Sequence, residues 1–113
     1  MIDDRDLAYV VGRVTALYDP DRIYLFGSYA KGVATDRSDL DLMVIRADDL
    51  PRRLRGRDVV DGLSGLAIGI DLLFLTPDEV AAELADPYSI CSTIMPTARA
   101  VYERPAAGGR SVR

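Results

Sequence analysis

Two short runs, Leu40–Ile45 and Ala67–Leu75, are nearly continuous in apolar residues; apart from Gly69, only aspartate interrupts them. Runs of this length and composition read as β-strands with both faces covered, and Leu40–Ile45 in particular belongs inside a sheet. Helices must then lie on either side of it. The chain has 113 residues, enough for one such domain and little more. The expected architecture is α/β (α+β), a small mixed sheet flanked by helices.

The remaining elements fall into place around those strands. Leu7, Val10, Val11, Val14 and Leu17 recur at helical spacing between Asp4 and Tyr18. Asp3 or Asp4 can cap that helix, and Asp19-Pro20 ends it. Arg22–Phe26 reads as a strand that stops at Gly27, and 27–37 as a turn holding one helical turn after Ser28. A polar helix is expected from Pro51 towards Leu63, weakened by Gly56 and Gly62. Thr76-Pro77-Asp78-Glu79 is a capping box with proline in the first turn, so a helix follows to Leu84 or Ala85. A second short helix runs from Asp86-Pro87 to about Met95, and Ala98–Glu103 is the last strand. The domain is expected over residues 1–104, with fraying from Arg104 and a flexible tail at 105–113. There is no internal repeat and no linker.

Composition narrows the chemistry. The formal net charge is −4, which argues against direct nucleic-acid binding, since a polyanion-gripping surface is basic. There is one cysteine, Cys91, and no histidine. An internal disulfide, a Cys/His zinc site and a histidine base are all excluded. A metal here must be held by oxygen, which points to Mg²⁺ or Mn²⁺. Met1–Arg5 is acidic and polar, unlike a signal peptide, and no apolar run is long enough to span a membrane. A cytoplasmic protein with no membrane partner is expected.

Three features carry chemistry, in chain order: Gly27-Ser28 at a strand end, Asp39-Leu40-Asp41 entering the next strand, and Asp71 within a later one. Residues i and i+2 of a strand point to the same face, so Asp39 and Asp41 stand side by side. Their repulsion is relieved by a divalent cation shared with phosphate oxygens. Asp71, among Ile68, Ile70, Leu72 and Phe74, is expected to be buried and to need the same cation as partner. Gly27 permits close approach of a phosphate, and backbone N–H groups with the Ser28 hydroxyl can hold it. Each part alone has a plain reading: a turn, a solvated strand end, an aspartate bonded to backbone. Their order and spacing favour phosphoryl or nucleotidyl transfer.

Gly27-Ser28-Tyr29-Ala30-Lys31-Gly32, ten intervening residues between Ser28 and Asp39, and Ser38-Asp39-Leu40-Asp41-Leu42 resemble the motif of the DNA polymerase β-like nucleotidyltransferase superfamily. The short chain most resembles its minimal nucleotidyltransferases, the antitoxins of HEPN-domain ribonucleases. The resemblance implies that Gly27 and Ser28 hold the triphosphate of ATP, with Lys31 touching phosphate. It implies that Asp39 and Asp41 ligate two Mg²⁺, and that Asp71 completes one site and helps deprotonate the acceptor hydroxyl. The acceptor it implies is a tyrosine of a partner HEPN toxin, modified by AMP, with a hetero-oligomer of the two as one form of the encounter.

Two other functions compete: transfer to a small molecule such as an antibiotic, and a non-catalytic antitoxin acting by contact. The short chain speaks against the first, having little room for an acceptor pocket. The complete set Ser28, Asp39, Asp41 and Asp71 speaks against the second. Arg52, Arg53, Arg55 and Arg57 read as a solvated helix face, with docking to an acidic partner or proximity to the nucleotide as the sharper alternatives. Tyr24, Tyr29, Tyr88 and Tyr102 are explained by packing, although Tyr29 could border the nucleotide. Cys91 reads as a small core residue.

Overall fold

The strands' period of two divides their side chains between two cores, one on each face of the sheet. In the computed structural model, which describes residues 1–105, the strands are β1 (Arg22–Phe26), β2 (Leu40–Ile45), β3 (Ile70–Leu75) and β4 (Arg99–Glu103). They lie in the order β3-β2-β1-β4. β1 runs antiparallel to both β2 and β4, while β2 and β3 are parallel, so the sheet is mixed as expected. β2, the most apolar strand, is interior, paired on both sides.

Helix α1 (Asp4–Tyr18) covers the first face together with α3 (Arg57–Leu63). Val10 and Val14 of α1 and Val59 of α3 meet Ile23, Leu25, Leu40, Leu42 and Val44 there. The α1 start is fixed by a reciprocal capping box between Asp3 and Asp6, which satisfies two orphan N–H groups. The second face carries Met43, Ile45 and Leu75, covered by α4 (Pro77–Leu84) and α5 (Ile90–Ile94) through Val80, Cys91 and Ile94. Cys91 is thus a core residue, fully buried. The Thr76–Glu79 capping box forms as the sequence predicts. A five-residue helix, α2 (Gly27–Lys31), follows β1 directly. Among the described residues no helix is long and apolar enough to cross a membrane.

Four expectations need correction. The helix predicted from Pro51 to Leu63 is two pieces, a 3₁₀ turn at Arg52–Leu54 and then α3, separated by Gly56 at φ +71°. That left-handed residue turns the chain sharply, and a Cβ on it would overlap the Phe74 ring. As a result Arg55 points inward, only 8 % exposed, and the arginine run is not one solvated face. β3 begins at Ile70, leaving 67–69 outside the strand. Asp71 is exposed, not buried, because β3 is an edge strand. Finally, Arg104 is anchored: its backbone N–H donates to Asp21 O (2.8 Å) and its guanidinium pairs with Asp19 and Asp21. Of the expected tail at 105–113, all but Pro105 lies outside the described residues.

Candidate active site

On β2 the side chains of Leu40, Leu42 and Val44 enter the first core, and those of Met43 and Ile45 the second. Asp41 therefore points to the second face. On β3, Ile70 and Leu72 enter the first core and Leu73 and Leu75 the second, so Asp71 shares the face of Asp41. The parallel register places Asp41 directly beside Asp71, and the antiparallel register places Phe26 on its other side. Phe26 is the residue before Gly27. One row across three strands thus brings together the two carboxylates and the entry to α2. α4 and α5 pack near Met43, Ile45 and Leu75, leaving this end of the face open.

Asp39 precedes β2, and its carboxylate lies over Gly69, the residue that precedes β3. A Cβ at Gly69 would collide with Asp39 Oδ1 and stand 3.0 Å from its Cγ. Gly27 has the same relation to Asp41: a Cβ there would collide with Asp41 Oδ2 and stand 3.1 Å from Cγ. Gly27 also has φ +72°, a conformation costly for any residue with a side chain. Its requirement for glycine therefore has a cause within the protein, the room taken by Asp41, as well as the approach of a phosphate.

Partial burial, then the charge of Asp71, a hydrogen bond with it and the charge of Asp39 push the Asp41 carboxyl up to about 6. The charges of Asp39 and Asp71 act on Asp41, and among the described residues no cationic side chain pairs with the three, an arrangement that penalises the ionised form. Among the described residues no three of His, Cys, Asp and Glu stand close enough together to hold a metal ion by themselves, so a bound ion would need ligands from outside the protein. An open set of carboxylates fits Mg²⁺, which binds through one or two of them and completes its shell with water and substrate phosphates. The donors are oxygen only, as that ion prefers.

Ser28 opens the first turn of α2, and among the described residues its hydroxyl makes no hydrogen bond. Lys31 ends α2 and is exposed. Tyr29 does not border this space as an open side chain: its hydroxyl accepts from the Ile2 N–H (3.1 Å) and its ring packs on the first core. The structure thus brings Asp39, Asp41, Asp71 and Gly27 to one place, with Ser28 next in chain. Gly69 is the residue sequence reasoning missed. Its signal was a glycine two positions before an aspartate in an apolar run, which marks close approach of another group.

The fold and the acidic end of its sheet define the class, a small α/β domain for nucleotide transfer. The family model of the nucleotidyltransferase domain matches residues 7–92, and the chain belongs to that family. A Methanocaldococcus jannaschii protein named "Putative protein adenylyltransferase MJ1305" is 34 % identical over 88 residues. The match takes in 73 % of this chain but only 58 % of that relative's length. A crystal structure of "a putative nucleotidyltransferase from Sulfolobus solfataricus" aligns with 87 % of this chain and 78 % of its own, with TM-score 0.56 and 18 % identity. A toxin–antitoxin crystallised with AMP-PNP aligns over 86 % of this chain and 73 % of its own, with TM-score 0.59 and 20 % identity. A mutant of the toxin–antitoxin MntA-HpeT covers the same shares at TM-score 0.57 and 19 % identity. At these identities the solved structures establish the fold.

Proposed function

We propose that the protein is a metal-dependent adenylyltransferase of the cytoplasm that moves AMP from ATP to a hydroxyl, a tyrosine, of a partner HEPN ribonuclease toxin. The observation that carries the reading is the register Asp41 beside Asp71, with Asp39 and Gly27 adjoining, on an open end of the sheet. The adenylyltransferase name of the relative and the AMP-PNP and toxin–antitoxin descriptions of the structural neighbours support ATP as donor and a toxin as partner. Nucleic acid is not the acceptor, because net charge is −4 and contact with a phosphate backbone needs a basic surface.

Asp39 and Asp41 would hold Mg²⁺ (two ions, with Mn²⁺ as substitute), and Asp71 would join them at one ion. When bound, such ions offset charge on the phosphate oxygens and lower the pKa of the attacking hydroxyl. Asp71 would help to take the proton of that hydroxyl, and its exposure beside Asp41 supports that role. Gly27 leaves room for the triphosphate, the Ser28 hydroxyl donates to it, and Lys31 adds positive charge. Among the described residues α4 and α5 pack at the other end of this face, which favours an acceptor that brings its own surface. AMP on a tyrosine adds a phosphate, which repels RNA from the toxin and silences it without a permanent complex.

The deciding measurement is intact-mass analysis of a HEPN protein encoded beside this one, after incubation with the protein, ATP and Mg²⁺. AMP additions that vanish with Asp39→Asn are expected. Neutralisation by the variant without any mass change would mean that contact alone silences the toxin. A second expectation concerns the phosphate cradle: Ser28→Ala should weaken ATP binding by about 1–3 kcal/mol, one charge-assisted hydrogen bond. Calorimetric titration checks it, and an unchanged Kd in both Ser28→Ala and Gly27→Val would place the triphosphate elsewhere.

A further inference from the structure

We infer that Gly69 is a positioning residue for Asp39, kept free of a side chain so that the Asp39 carboxylate can lie over its Cα and face Asp41 and Asp71. This rests on the metal-dependent reading above. Position 69 lies one step before β3, and the backbone joins it to β2 through Leu40 N–H donating to Gly69 O at 2.8 Å. Extending the parallel register by one step sets position 69 beside Asp39, as Asp71 stands beside Asp41. Side chains at 69 and 71 leave the same face, so anything beyond hydrogen at 69 enters the carboxylate's space.

The cause of the glycine here is room, not backbone conformation. Gly27, Gly32 and Gly56 have positive φ, and Gly69 does not. Gly65, four residues earlier in the same connection, would meet nothing within 4 Å if it carried a Cβ. At Gly69 the three nearest atoms that a Cβ would meet all belong to the Asp39 side chain, its carboxyl first. An alanine is accommodated by rotation of Asp39, which is exposed and free to swing into solvent. The fold therefore survives while the ligand loses its place. Such displacement matters because a metal-binding carboxylate must be held close to its productive geometry.

The test is Mn²⁺ binding, followed by the electron paramagnetic resonance of free Mn²⁺ in the presence of a non-hydrolysable ATP analogue. Gly69→Ala should weaken Mn²⁺ binding by roughly 10–100-fold, the loss typical when a ligand's support is removed. Its melting temperature should match that of Gly65→Ala. In an Asp39→Asn background the Gly69→Ala change should add nothing, since residues acting through one another are not additive. Wild-type affinity in Gly69→Ala, or a full further loss in the Asp39→Asn background, overturns the inference while leaving the metal reading in place. Absence of Mn²⁺ binding in the unmodified protein instead overturns the metal reading, and the role of Gly69 with it.

Discussion

Asp41→Asn is expected to lower AMP transfer at least about a hundredfold, because metal-assisted charge stabilisation is worth several kcal/mol at the transition state. The same change should raise the melting temperature of the ligand-free protein at neutral pH. The stability gain has its cause in the ligand-free site. Burial, Asp71 and Asp39 push the Asp41 carboxyl up to about 6 from an ordinary 3.8, so the fold prefers the protonated form. The stability this preference contributes is fully present below about pH 4 and is lost as pH rises through about 6. Above that, the apo protein carries an ionised carboxylate in poor company. Asparagine never ionises, so the variant's advantage should be absent at pH 4, grow between pH 4 and 6, and level off beyond. Comparing the two proteins at each pH removes the contributions of groups that do not interact with Asp41. Melting curves from pH 4 to 8, alongside transfer assays at pH 7.5, read both effects. A variant that keeps full transfer activity would show that Asp41 is not a metal ligand. A stability difference independent of pH would show that the fold does not raise the Asp41 carboxyl.

The parts of the molecule legible in the sequence are those fixed by local periodicity. Leu7, Val10 and Val14 set α1, the Thr76–Glu79 box sets the start of α4, and the apolar content of Leu40–Ile45 sets β2 at the interior. The common direction of Asp39 and Asp41 follows from the period of two. What periodicity cannot give is strand order and register. Whether β3 is an edge or an interior strand depends on long-range pairing, so the exposure of Asp71 was beyond reach. Its position opposite Asp41 depends on the parallel register of two strands whose starts, Leu40 and Ile70, lie 30 positions apart in the chain. Gly69 and Gly56 look alike in sequence, yet one makes room for a carboxylate and the other makes a turn against Phe74. Only the tertiary neighbours tell them apart.

Arg55 shows how a charge run can mislead, and it carries the largest stability effect expected here. Arginines at 52, 53, 55 and 57 suggest one solvated face. The left-handed turn at Gly56 instead sends Arg55 into the protein. Its Nε donates to Leu50 O at 2.8 Å and one terminal nitrogen to Phe74 O at 3.3 Å. Both terminal nitrogens donate to the Glu79 carboxylate, at 2.6 and 3.1 Å. Glu79 also accepts from the Thr76 N–H, closing the α4 cap. One guanidinium therefore ties the segment after β2 to the end of β3 and to the first turn of α4. Lysine cannot replace this planar fork. The fork's hydrogen bonds to Glu79, then the Thr76 backbone bond, hold the Glu79 carboxyl down at about 2. Arg55→Ala leaves two carbonyls and a carboxylate without their partner. Breaking a buried pair from one side costs about 3–5 kcal/mol, and the lower end applies because Glu79 keeps access to water. For a domain of this size that is a fall of roughly 12–24 °C in Tm. Arg55→Lys should recover only part of it. The charge contribution of Glu79 is present above pH 4.5 and fades as pH falls towards 2, so the gap between Arg55→Ala and the unmodified protein should narrow in acid. Thermal melts of the three proteins at pH 7 and pH 3 measure this directly. A loss below about 1 kcal/mol at pH 7, the range of surface ion pairs, would mean that Arg55 is held by its neighbours and does not hold them.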